Sequence, residues 1–186
     1  MKKVYVVLSR TGTGPSRLIR LATKSQFTHS SLALIPCRHS LYSFARRRLH
    51  NFLNAGFFHE DVDTFVFAKY PDAPCAVYEI TVSDQAYSKM ADKIAEFEKR
   101  YSKHTYSFTG MVTTQIGIRR KLKYKYTCSQ FVASILLSSG EIEIPKHPSL
   151  MKPIDLTKIP GANLIYSGTI KNISFNLKND EQKANC

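Results

Sequence analysis

No apolar run in this 186-residue sequence approaches the roughly 20 residues that a helix needs to cross a bilayer. The apolar stretch Val4-Tyr5-Val6-Val7-Leu8 after Met1-Lys2-Lys3 imitates a signal peptide but stops at Ser9-Arg10. That is short of an h-region of about 7–15 residues, and no small-x-small cleavage site follows. The expectation is a buried first strand in a cytoplasmic protein. Cys37, Cys75, Cys128 and Cys186 are far apart and form no Cys-x-x-Cys, so neither a zinc site nor another metal is expected. Without an export signal the cysteines are expected as thiols. Thr11-Gly12-Thr13-Gly14-Pro15 holds a Gly-x-Gly but lacks the Gly-Lys-Ser/Thr ending of a phosphate loop, which leaves a turn. No repeat, low-complexity tract or linker interrupts the chain. Acidic residues are also scarce: 14 Asp and Glu face 27 Lys and Arg, a net charge of +13. Such a balance favours anionic surroundings, whether nucleic acid, phospholipid headgroups or an acidic polymer.

What is present is an ordinary globular composition, 43% hydrophobic and 11% aromatic, long enough for one domain with a sizeable core. That domain is expected over residues 1–175, with a polar tail at 176–186 that frays. Strands are expected at 4–8, Phe27–Ile35, Leu41–Phe44, Gly56–Glu60, Thr64–Ala68 and Ala76–Val82. Ser16 caps a short helix, Arg17–Ala22. Ser83-Asp84 caps a longer one over Ala86–Tyr101, whose Met90, Ile94 and Phe97 mark the face laid on a sheet. The last helix runs from about Cys128 to Leu137, with Phe131, Val132, Ile135 and Leu136 on one face and Gly140 ending it. Strand runs with separate helices predict an α+β class.

The chemistry concentrates at Tyr126-Thr127-Cys128-Ser129-Gln130-Phe131-Val132. A thiol in the first turn of a helix lies beside unpaired backbone N–H groups and the positive end of the dipole, which favour thiolate. The Cys128 N–H can also donate to an oxyanion. Most free cysteines are merely buried small residues, but Thr127 and Ser129 give this one a polar setting.

A cysteine nucleophile needs an imidazole to take its proton. Of the six histidines, His39, His50, His104 and His147 read as solvated surface residues, and His59 sits beside Glu60 in a possible strand. His29 opens a strong strand, followed on its own face by Ser31 and Ala33. Those small residues leave room for a partner such as the Cys128 helix. A satisfied core histidine is the bland alternative.

Phe27-Thr28-His29-Ser30-Ser31-Leu32-Ala33-Leu34, followed some hundred residues later by Cys128-Ser129-Gln130-Phe131-Val132-Ala133, resembles the circularly permuted NlpC-type branch of the papain-like superfamily. That branch includes YiiX-like proteins, a poxvirus group and lecithin:retinol acyltransferase relatives. Its histidine strand precedes its cysteine helix, as here, and Tyr106 to Gly110 looks like its Tyr/Phe-Gly segment. The resemblance spans roughly residues 4 to 170. It implies a papain-like α+β fold, an antiparallel sheet packed against the cysteine helix, and a Cys128–His29 thiol hydrolase that needs no cofactor. The branch places a carboxylate or second histidine on the next strand to orient the imidazole. Here Ser43 takes that place, on the same face as His29 by parity. A serine hydroxyl brings no charge, which leaves Ser43, a backbone carbonyl or Glu60 as the orienting group, with His59 a more distant candidate, or an inactive site.

Arg46-Arg47-Arg48 and Arg119-Arg120-Lys121-Leu122-Lys123-Tyr124-Lys125 suit nucleic-acid or headgroup contact, although a charge run is more often a solvated face. The second run leads into the Cys128 helix and is placed to select acidic substrates. Three functions remain open. The first is a thiol-dependent amidase, peptidase or lipid esterase/acyltransferase acting on a peptide, a peptidoglycan-like isopeptide or a lipid. The others are a catalytically silent binding module and a basic nucleic-acid-binding protein.

Overall fold

Strand β1, Lys2–Ser9, is buried at every position from Val4 onward, the pattern of a strand covered on both faces. It lies within an eight-stranded sheet with strand order β7-β6-β4-β3-β2-β1-β5-β8. The other strands are β2 His29–Ala33, β3 Leu41–Arg46, β4 Ala55–Glu60, β5 Pro74–Val82, β6 Thr105–Tyr106, β7 Lys125–Tyr126 and β8 Asn163–Thr169. All neighbours pair antiparallel except β6 with β7. The computed structural model describes residues 1–10, 12, 25–47, 54–119 and 122–175. The expected turn at 11–15, the Arg17–Ala22 helix and the 176–186 tail fall largely or wholly outside the described residues, as do Arg48, His50, Arg120 and Lys121.

Four α-helices stand among the described residues: α1 Phe65–Lys69, α2 Asp84–Lys99, α3 Phe108–Gln115 and α4 Cys128–Ser138. The architecture is α+β with an open, mostly antiparallel sheet. Alternation along the strands builds two apolar layers. On one face Val4, Val6, Leu8, Leu32, Phe44 and Phe57 meet Met90, Ile94 and Phe97 of α2 and Phe131, Val132 and Ile135 of α4. Phe131 is fully buried and packs 5.3 Å from Phe44 and 5.6 Å from Phe57 between ring centroids. Each such side chain contributes about 1.5–3 kcal/mol, so the core sets the position of α4. On the other face Tyr5, Val7, Ala33, Leu41 and Val77 meet Phe67, Ile170 and Phe175.

Several expectations are corrected. Residues 64–68 are not a strand: Thr64 is the extended cap of a single helical turn in which Phe67 is buried and Phe65 exposed, breaking the period of two. His104 is not a surface residue but is packed 4.4 Å from the Phe97 ring. Polar sequence neighbours hid a contact made from α2. Arg47, taken with a solvated charge run, reaches back to donate to the carbonyls of Tyr101 (2.7 Å) and His104 (2.8 Å) and clamps β3 to the start of β6. Cys37 is disulfide-bonded rather than a free thiol, whereas Cys75 and Cys128 are free. Pairing depends on which cysteines the fold brings within reach, and linear spacing does not reveal that.

Candidate active site

Thr127 ends β7 in extended conformation and caps α4, its Oγ1 accepting from the Gln130 N–H at 3.2 Å. The cap starts the helix at Cys128, whose own N–H has no intrahelical partner. Ser129 donates to the Met151 carbonyl at 2.5 Å and Thr114 of α3 to the Ser149 carbonyl at 2.9 Å. Both bonds pin residues 149–151 as a wall. Ser107 caps α3 by accepting from the Gly110 N–H at 3.0 Å; a Cβ at Gly110 would come within 2.5 Å of that hydroxyl. Between these elements lies a small open cleft, with Cys128, Tyr106, Met111, Gln115, Met151 and Lys152 in its lining.

The helix does not approach His29 as the small neighbours Ser31 and Ala33 suggested. The body of α4 packs on the sheet face of Leu32 and Phe44, while Ala33 belongs to the opposite layer. His29, Ser31, Ser43 and Glu60 share that opposite face by alternation and register. The thiol and the imidazole meet at the beginning of β2, where the first turn of α4 comes against residues 28–30. β2 and β3 pair at Leu32↔Tyr42, away from the end of β2 at His29, which pairs with Ser9 of β1 instead.

Glu60, at the last position of β4, holds the imidazole. Its Oε1 lies 2.9 Å and its Oε2 3.2 Å from His29 Nε2, and Ser31 Oγ donates to Oε2 at 2.5 Å. With Nε2–H donated to the carboxylate, Nδ1 is the nitrogen left for Cys128. Ser43 does not orient the ring. The β2–β3 register sets it across from Ser31 rather than His29, and its buried hydroxyl has no hydrogen-bond partner. It lies close enough to Glu60 only to favour the ionised carboxylate.

Electrostatics follow from this placement. Burial alone would discharge His29, but the Glu60 carboxylate and the hydrogen bond with Cys128 outweigh it and push the imidazole up to about 10. Burial likewise opposes ionisation of Glu60 and Cys128. The hydrogen bonds and positive charge of His29 overcome it in both, holding each below its ordinary value. The Ser30 backbone N–H adds to the pull on the sulfur, as does its hydroxyl, although that oxygen is buried without a close partner of its own. Tyr106 stays protonated: burial and the adjacent sulfur raise its hydroxyl well above the phenol range, and the hydroxyl donates to Cys128. The arrangement favours a thiolate–imidazolium pair, with a phenol and a helix N–H beside the sulfur.

Tyr106 and Ser30 were not read as site residues from the sequence. Tyr106 lies in the Tyr106–Gly110 segment already singled out, but which residues flank the sulfur depends on a strand pairing that no local pattern shows. Of the other histidines, His59 is exposed on β4 and His147 caps the turn at Pro148–Leu150. His39, Asp61 and Asp63 have atoms within 4.8 Å of one another, suited in type to a metal ion. Arg38 Nη2, 2.5 Å from Asp63, already supplies the cation there. No helix among the described residues is long and apolar enough to cross a membrane. No protein-family model matches the chain, and no curated protein matches it.

Proposed function

We propose that the chain is a thiol hydrolase or acyltransferase built on a papain-like domain of the circularly permuted NlpC type, with Cys128 as nucleophile, His29 as proton shuttle and Glu60 as the group that orients His29. The observation that carries this reading is the continuous Glu60–His29–Cys128 line ending at a helix N-terminus on a cleft. The carboxylate missing from β3 is supplied from β4, so Ser43 is not needed.

The thiolate attacks the carbonyl carbon, forming the C–S bond as the carbonyl π pair moves to oxygen. The Cys128 N–H and the Tyr106 hydroxyl are the donors for that oxyanion. Collapse expels the amine or alcohol, which takes its proton from the His29 imidazolium. Neutral His29 then accepts a proton from water or another acceptor as that group attacks the thioester, and the thiolate leaves. The substrate is a peptide or isopeptide amide or a lipid acyl ester.

Brief exposure to an activated acyl ester such as p-nitrophenyl acetate, followed by mass spectrometry, tests the assignment. The acyl group is expected on Cys128, released as a hydroxamate by hydroxylamine. Tyr106→Phe is expected to lower acylation about 10²-fold while leaving the protein folded. Acylation confined to lysines, with Cys128 untouched, would turn the reading towards a silent binding module on the same scaffold.

A further inference from the structure

Helix α3 carries two adjacent stripes. Met111 and Gln115 face the cleft. Val112 and Ile116, also four residues apart and one position further round, stand 58% and 65% exposed. Gly117 then turns the chain at φ +73°, and Ile118 follows at 51% exposed. Three aliphatic side chains left in water within seven residues form a patch, unlike the isolated exposures of Ile35, Leu137 and Leu164.

The charge around the patch has one sign. Between Glu98 and Glu141 the sequence contains no acidic residue and eight Lys and Arg. Arg119, Lys123 and Lys125 are exposed next to the patch, and among the described residues no carboxylate pairs with any of them. Lys123 extends over the Tyr124 ring at 5.3 Å.

We propose that Val112, Ile116, Ile118, Arg119, Lys123 and Lys125 dock the protein on an anionic phospholipid bilayer. The aliphatic side chains enter the boundary between headgroups and acyl chains while the cations lie against the lipid phosphates. The cleft stripe beside Val112 and Ile116 then opens at the membrane surface. A nucleic acid would satisfy the cations but leave the aliphatics in water, since single strands are held by aromatic stacking. The docking does not depend on the chemistry of Cys128, so it stands or falls separately from the proposed reaction.

Co-sedimentation of the full chain with phosphatidylcholine vesicles, with and without phosphatidylserine, tests it. Binding is expected only with phosphatidylserine and is expected to weaken as salt rises. Neutralising Arg119, Lys123 or Lys125 to Gln should lower the partition coefficient about fivefold each. Val112→Ser with Ile116→Ser and Ile118→Ser should lower it about tenfold or more at every salt concentration. These positions are exposed, so an unchanged thermal melt is the check that the fold is intact, and Cys128→Ser should bind like wild type. Equal binding to both kinds of vesicle, no loss in the aliphatic variant, or retention by single-stranded RNA without vesicle binding would each overturn the proposal.

Discussion

Cys75 and Cys128 are both buried and both free, yet their surroundings drive them in opposite directions. Cys75 sits on β5 in the apolar layer with Tyr5, Val77 and Ile170, where desolvation acts unopposed and pushes the thiol up to about 12. Cys128 is equally dry, but His29, Ser30 and the helix start reverse the penalty and bring it below its ordinary value. Burial therefore does not make a cysteine inert. What decides is whether the buried thiolate finds a cation and donors before it meets apolar walls.

The largest expected difference is in alkylation. Burial holds Cys75 at about 12, while Cys128 lies below its ordinary value. Iodoacetamide at neutral pH should therefore modify Cys128 on the order of 10³-fold faster. Site-resolved mass spectrometry checks this, and His29→Ala should remove most of the contrast, because Ser30 and the helix start are then left alone against the burial penalty. Comparable rates at the two cysteines in the wild-type protein would break the comparison and, with it, the proposed role of Cys128.

Glu60→Gln sharpens the same contrast. The raised His29 value rests on the carboxylate, so the variant imidazole should lose its proton well below the wild-type value of about 10. The thiolate then loses its partner at lower pH, and the alkylation midpoint of Cys128 moves up. A loss of about 10–100-fold is expected near neutral pH, read from rate–pH profiles. An unchanged profile would remove Glu60 from the site.

Stability separates the two thiols more modestly. Cys75→Ser places a hydroxyl in an apolar layer and should cost about 1–3 kcal/mol. Cys128→Ser, in a polar setting with Tyr106 and Ser30 at hand, should cost less than about 1 kcal/mol. Urea midpoints compare them directly. The smallest effect is expected for Ser43→Ala. Its hydroxyl is buried without a close hydrogen-bond partner, so removing it leaves no donor unpaired and changes the unfolding free energy by less than about 0.5 kcal/mol. A loss of activity as large as that of Glu60→Gln would restore Ser43 as the group that orients His29.

Elements that carry their own signal were legible from sequence. The α4 helix announces itself through Thr127 at the cap and Phe131, Val132 and Ile135 on one face, and β1 through its apolar run, because both patterns depend only on near neighbours. Cys128 and His29 were singled out for the same kind of reason, one by its place at a helix start and the other by its place on a strand. The short strands β6 and β7, the half-exposed edge strand β8 and the helix α3 were missed. Two-residue strands and a helix with weak amphipathicity hardly differ from loop until a partner completes them.

What only the tertiary structure decided is how these parts face one another. Glu60 rather than Ser43 reaches the imidazole because the β2–β3 register and the end of β4 set their relative positions, and register is a property of two strands together. Tyr106 reaches the sulfur because β6 pairs beside β7, the strand that leads into α4. His104 and Arg47 became core and clamp, not surface, by contacts spanning about fifty residues or, for His104 and Phe97, a helix and a turn. The sign of each charged group at the site was set the same way. The residue types that can ionise are written in the chain, but the dielectric and the partner that fix their protonation exist only once distant segments have been brought together.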